Sequence, residues 1–174
     1  DGAGQVILVN CTGITVEDQN LSDGSAGLLL GFSDENTVVN NDASNHDKGM
    51  RLYESDDNEI RGNIVSDNSN DWFTLSYGIW LSSSDGNRLI DNEASNTDGD
   101  GIYVRYSDDN SLIDNEALNN QWRGIDISRS GGNNIVKSKA LENRLGIRLQ
   151  YSSGITIEEN EVQNGIELRN SESI

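Results

Sequence analysis

Residues 78–96 read GIWLSSSDGNRLIDNEASN, and residues 101–119 read GIYVRYSDDNSLIDNEALN. Laid over each other, the two stretches share Gly, Ile, Ser, Asn, Leu-Ile-Asp-Asn-Glu-Ala and a final Asn at the same offsets. Working outward, related stretches begin at Gly27, Gly49, Gly124 and Gly146, with a partial copy at Gly165 and a degenerate one from Gln5. The intervals from Gln5 onward are 22, 22, 29, 23, 23, 22 and 19 residues. A fixed period of this kind is the signature of a repeat architecture. Helical repeats are longer and lack this density of Asn and Gly, and the leucine-rich motif is missing. The "GIxL" and "NxI" segments alternate with period two and are bounded by Gly, Asn, Asp and Ser, so they read as short strands joined by turns. The expected fold is all-β: a right-handed single-stranded parallel β-helix of about eight rungs of roughly 22 residues.

The alternation assigns directions. Positions one and three after each Gly face inward: Leu28/Leu30, Met50/Leu52, Ile79/Leu81, Ile102/Val104, Ile125/Ile127 and Ile147/Leu149. A second inward row starts eleven after Gly (Val38, Ile60, Leu89, Leu112, Ile135, Ile157). A smaller third row lies sixteen after it (Ala43, Val65, Ala94, Ala117, Ala140, Val162). At the strand spacing of about 4.8 Å these rows build one thin apolar column. Two Asn columns run alongside: Asn36, Asn58, Asn87, Asn110, Asn133, and Asn41, Asn63, Asn92, Asn115, Asn160. Asn tolerates left-handed turns, and its amide can bond the same amide one rung away. Ile14 and Ile155 stand where the first column would place Asn, so those two rungs are expected to turn differently.

Composition bounds the function. Hydrophobic residues make up 33% and the net charge is −18. A solenoid tolerates this because each rung buries only a small face on its neighbours. With 30 acidic against 12 basic residues, unassisted nucleic-acid binding is excluded, since phosphate contacts need Lys and Arg. No run of 18 apolar residues exists to span a membrane. Cys11 and His46 are the single Cys and His, too few ligands for structural zinc. The acidity fits salt adaptation, a calcium-rich surface or a plain solvated one. The triplets N-C-T at Asn10 and N-L-S at Asn20 match glycosylation sequons. Residues 1–174 read as one β-helix domain, expected to be a segment of a longer protein or to stack end to end on other copies.

The rungs resemble the right-handed β-helix superfamily that contains the copper-insertion accessory protein NosD, carbohydrate-binding and sugar-hydrolase β-helices, and many archaeal surface proteins. The resemblance runs from about Gln5 to Ile174 and is closest to archaeal secreted members in the opening GQVILVNCTGITVEDQNLSDGSAGLLL. It implies an extracellular or cell-surface protein, structural or adhesive, with a polysaccharide or cell-envelope glycan as partner. It also leaves open a fragment of a polysaccharide lyase or hydrolase, and a metal-delivery accessory protein. Copper suits soft or imidazole ligands, of which this chain offers only His46, Cys11 and Met50, on different rungs or turns.

Candidate sites follow from the repeat. The 29-residue rung carries an insertion at 66–77 that contains Trp72, Phe73 and Tyr77, and loops that bulge from a solenoid often carry function. Trp122 is expected at the same corner two rungs later. The outward position two after Gly reads Leu29, Arg51, Trp80, Tyr103, Asp126, Arg148, with Arg105 and Tyr106 following Tyr103. Aromatic faces flanked by Arg and Asp suit sugar rings, so Trp80, Tyr103, Arg105, Tyr106, Arg148, Trp72 and Trp122 are the candidate carbohydrate contacts. Cross-strand aromatic pairs also stabilise sheets without any ligand. Asp126, in the aromatic row, is the candidate acid for catalysis, with Asp71 and Asp100 behind it. Stacked acids in the turn, Asp56, Asp57, Asp108 and Asp109, could supply oxygen ligands to calcium, the one cofactor considered, or form a solvated edge.

Overall fold

The computed structural model describes residues 4–22, 24–69 and 76–172, the side chains of 24 and 25 aside. Strands are numbered in chain order. The first sheet has eight: β1 (Val6–Val9), β3 (Gly24–Gly31), β5 (His46–Tyr53), β7 (Tyr77–Ser82), β9 (Asp100–Arg105), β12 (Arg123–Ser128), β15 (Leu145–Gln150) and β18 (Ile166–Arg169), paired in that order. The second has seven: β2 (Thr15–Glu17), β4 (Thr37–Val39), β6 (Glu59–Arg61), β8 (Arg88–Ile90), β10 (Ser111–Ile113), β13 (Asn134–Val136) and β16 (Thr156–Glu158). A third, short sheet holds β11 (Glu116–Leu118), β14 (Lys139–Leu141) and β17 (Glu161–Val162). Every pairing is parallel, and consecutive strands of one sheet are one repeat apart. The result is a right-handed parallel β-helix of about seven turns, slightly short of eight because the last rung contributes only its first strand.

Register confirms the columns. Ile79, Ile102, Ile125 and Ile147 are successive partners in one column, and all four are fully buried. The rows headed by Val38 and Ala43 complete one continuous core. The small third row has a steric reason. A Cβ on Gly27 would lie 2.7 Å from the Ala43 Cβ and 2.8 Å from the Gly49 carbonyl oxygen. Gly faces this row across the narrowest part of the rung, so Ala or Val fits opposite it but a Cβ on the Gly does not; at Gly49 it would collide with the Val65 Cγ1.

Polar ladders close the rest of each coil. Within the first Asn column, the Asn87 Nδ2 donates to Asn110 Oδ1 at 3.2 Å, and the Asn87 amide donates to the same oxygen at 2.8 Å. Its Nδ2 also reaches the Ser55 carbonyl at 3.0 Å, so the buried amide is satisfied on both sides. The second column does the same, with Ser138 standing in between Asn115 and Asn160. A serine line six residues after Gly, Ser33 through Ser171, is a further ladder: each Oγ accepts an amide of the preceding rung, that of Cys11 at Ser33 and that of a serine thereafter, and donates within its own rung.

Two sequence expectations are corrected. The left-handed residues are not the ladder asparagines; they fall beside them, for example Glu35, Asp57 and Asp109 at φ 57°, 55° and 56°. Rungs carrying Ile14 and Ile155 keep the same turn, because Gly13 (φ 70°) and Gly154 (φ 64°) hold the equivalent position, and Ile155 buries its side chain instead of hydrogen-bonding.

Candidate functional site

The outward row of the first sheet is assembled by register alone: Leu29, Arg51, Trp80, Tyr103, Asp126 and Arg148 are consecutive partners. Tyr77 begins β7 and turns onto the same face. Its ring stacks on Tyr103 (centroids 5.1 Å apart, 18° between planes) and lies 5.3 Å from Trp80, which is 6.2 Å from Tyr103. The Arg51 guanidinium covers Trp80 at 4.3 Å. The aromatic members are half-buried. Burial, then the charge of Asp100, pushes the Tyr77 hydroxyl up to about 12, and burial raises that of Tyr103. Both phenols therefore stay protonated and available as hydrogen-bond donors.

One rung on, the row becomes ionic. Against the expectation of an available acid, Asp126 is fully buried. Arg148 grips it with two bonds, Nε to Oδ1 at 2.9 Å and Nη2 to Oδ2 at 2.6 Å, and Arg123 adds Nη1 to Oδ2 at 3.1 Å. Asp100 joins through the same Arg123 Nη1, 3.3 Å from its Oδ2, and accepts the Arg123 amide at 3.1 Å. Burial, then the charge on Asp126, raises Asp100 to about 6, while Arg123 pulls the other way. Asp126 is thus a strut, and Asp100 is the carboxyl whose proton is exchangeable near neutrality.

The candidate contacts separate into groups. Trp80 and Tyr103 come together as expected, with Tyr77 and Arg51 added. Arg105 and Tyr106 form a second group with two residues the sequence reading missed, Arg129 and Tyr151. Arg129 donates to the Tyr106 hydroxyl and lies over the rings of Tyr106 (5.5 Å) and Tyr151 (5.7 Å), and Arg105 covers Tyr106 at 4.8 Å. Tyr106, Arg129 and Tyr151 all sit five residues after a repeat Gly, and reading that column would have found them. Trp122 stands apart, beneath Arg123 and Arg144, in a cavity of about 300 Å³ that Glu167 and Arg169 also line. Trp72, with Asp71 and Phe73, lies outside the described residues.

The acidic turn is organised by backbone. Asp56 Oδ1 accepts the amide of Asp85 at 2.7 Å, and Asp108 Oδ1 accepts that of Gly131 at 2.6 Å. Asp57 and Asp109 carboxylates lie over Gly86 and Gly132, where a Cβ would collide with them. The Asp56 and Asp108 carboxylates serve the neighbouring rung, and no three His, Cys, Asp or Glu among the described residues are grouped to hold a metal. Copper donors fare no better. His46 is buried with Nε2 2.5 Å from the Leu21 carbonyl, Met50 is a core residue, and the Cys11 thiol donates to the Val9 carbonyl at 3.4 Å. These soft and imidazole groups do not converge, so they do not fit a copper centre.

Fold and face together define a parallel β-helix with an open, aromatic- and arginine-lined sheet. The family model described as "Periplasmic copper-binding protein (NosD)" matches residues 1–122 and 69–174, and the chain belongs to that family. No curated protein matches it. Among solved structures, the periplasmic alginate epimerase AlgG (T265N mutant) aligns with TM-score 0.72 at 23% identity, over 79% of this chain and 33% of that one. The enzymatically active domain of bacteriophage CBA120 tailspike protein 2 gives 0.58 at 12%, over 83% and 27%. The Azotobacter vinelandii mannuronan C-5 epimerase AlgE4 A-module gives 0.54 at 12%, over 98% and 57%. The chain spans about a third of the AlgG structure, and these likenesses are of fold. No helix is long and apolar enough to cross a membrane among the described residues.

Proposed function

We propose that this β-helix is a saccharide-binding protein that works outside the cytoplasm, in a structural or adhesive role, and lays a polysaccharide along the outward face of its eight-stranded sheet. The observation that carries this reading is the Tyr77–Trp80–Tyr103 stack on adjacent rungs, capped by Arg51. Apolar C–H faces of sugar rings stack on such platforms, and flanking donors take the hydroxyls. That two of the structural neighbours are named as alginate and mannuronan epimerases supports a glycan partner for this scaffold.

Binding to a panel of immobilised polysaccharides tests it. Retention on at least one is expected, and Trp80→Ala/Tyr103→Ala should weaken it about tenfold or more while the thermal melt shows a folded protein. Unchanged retention by the double variant would sink the assignment. A second reading, catalysis on the bound chain, is favoured by one observation: Asp100, raised to about 6, neighbours the Tyr77 hydroxyl electrostatically on this face. Release of reducing ends or unsaturated products from a retained polysaccharide would distinguish an enzyme from a binder.

A further inference from the structure

Nine of the twelve basic residues are arginines, in a chain with 30 acids. Five of them (Arg61, Arg88, Arg123, Arg148, Arg169) have a carboxylate within 4 Å. For Arg51, Arg105, Arg129 and Arg144 no ion pair exists among the described residues, and each lies over an aromatic ring instead. Arg105 and Arg129 border one cavity beside Tyr103, Arg51 caps Trp80 in the same sheet, and Arg144 lies apart from them beside Trp122. Arg51 is in β5 and Arg105 ends β9, Arg129 follows β12, and Arg144 precedes β15. In so acidic a protein, arginines without an ion pair are a segregation of charge, and Arg105 and Arg129 each spend an N–H on the Tyr106 hydroxyl and keep the rest of a five-donor guanidinium for an anion.

The densest part is built as a pocket. Arg105 and Arg129 bracket Tyr106, and with Gln150 and Tyr151 they border a cavity of about 230 Å³. The Tyr106 hydroxyl is held below its ordinary range, by the Arg129 hydrogen bond first and Arg105 second, as expected where positive charge is uncompensated. Tyr103 lines the same cavity and also belongs to the aromatic stack, so pocket and platform are contiguous.

We infer that the polysaccharide is anionic and that Arg105 and Arg129 seat its acid groups, carboxylate or sulfate ester, beside the sugar ring stacked at Tyr103. This rests on the saccharide reading above. Affinity should fall steeply with ionic strength, because the contact is between exposed charges.

The test titrates the protein with a polyuronate, a sulfated polysaccharide and a neutral polysaccharide of similar length at fixed salt. The expected result is at least tenfold preference for one or both acidic polymers. That preference should be lost in Arg105→Gln/Arg129→Gln and largely kept in Arg105→Lys/Arg129→Lys, with melts showing both variants folded. Which acidic polymer wins separates carboxylate from sulfate. Equal binding of neutral and acidic polymers, or indifference to the Gln pair, overturns the anion subsite and leaves the saccharide reading standing. Binding of none of the three overturns the subsite, and the polysaccharide panel then decides the saccharide reading.

Discussion

Arg148 holds Asp126 across the gap between two rungs with a two-point grip, Nε to Oδ1 and Nη2 to Oδ2, with Asp126 fully buried and the Arg148 side chain largely so. Breaking a buried pair from one side strands the other charge, at a cost of about 3–5 kcal/mol. Asp126→Ala leaves two guanidiniums, Arg148 and Arg123, crowded over one remaining carboxyl. It is expected to lower unfolding free energy in that range by denaturant titration. A loss below about 1 kcal/mol would mean that the strut is dispensable.

Asp100 makes the sheet face pH-sensitive. Its folded value of about 6 stands above the ordinary 3.8, so the fold favours the protonated form. Below about 3.8 the group is protonated in both states and there is no penalty. The penalty grows as pH rises between the two values and is complete above about 6. At its fullest it amounts to roughly 3 kcal/mol. The contribution of this group to the melting temperature should therefore be level from pH 8 to about 6.5 and rise as pH is lowered from there toward about 5, and Asp100→Asn should flatten that rise. A wild type and a variant with parallel pH profiles would remove Asp100 as the origin.

The inward columns are readable because a period of 22 or 23 residues repeats one simple constraint: a side chain must match the one directly above it. Ile79, Ile102, Ile125 and Ile147 obey it, and so do Asn87 and Asn110. The same periodicity, counted along the chain, sets Trp80 beside Tyr103. What stays hidden depends on contacts that have no fixed offset. The burial of Asp126 comes from Arg123 and Arg148, three residues ahead and one rung on. Phe32, Tyr106, Arg129 and Tyr151 all adopt left-handed backbone (φ 51–56°), against their local preference, because the coil above and below imposes the turn. The irregular amide line through His46, Asn68, Thr97, Asn120 and Asn143 mixes residue types and so does not stand out in the repeat, although Asn68, Asn120 and Asn143 each cap the preceding rung's amide.

The acidic turn should be indifferent to calcium. Asp56 and Asp108 already accept backbone amides from the next rung, and the intervening Asp85 does so as well, so their oxygens do not converge on a common point. Burial first, and then the charges of Asp56, Asp108 and Asp109, raise Asp85, so like charges stack along this edge. Melting temperature is expected to be unmoved by millimolar calcium or by a chelator at constant ionic strength, and to climb with sodium chloride as repulsion is screened. A rise of several degrees with calcium alone would show that the column binds the ion.

The first asparagine column should respond differently to two nearly isosteric changes. Asn110 Oδ1 accepts the amide and the Nδ2 of Asn87, and its own Nδ2 donates to Asn133 Oδ1 at 3.0 Å. Asn110→Ala leaves the buried Asn87 amide unpaired, while Asn87 Nδ2 keeps the Ser55 and Asp85 carbonyls and Asn133 Oδ1 keeps the amide of residue 110, so a loss of about 1–3 kcal/mol is expected. Asn110→Asp keeps the acceptor but removes the donor and faces a carboxylate toward Asn133 Oδ1 in a fully buried stack. It should be at least as damaging at pH 7, and it should recover at pH 4–5, where a proton on the new carboxyl restores a donor. Equal damage by Asp at both pH values would show that stacking geometry, and not the alternation of donors and acceptors, is what the column contributes.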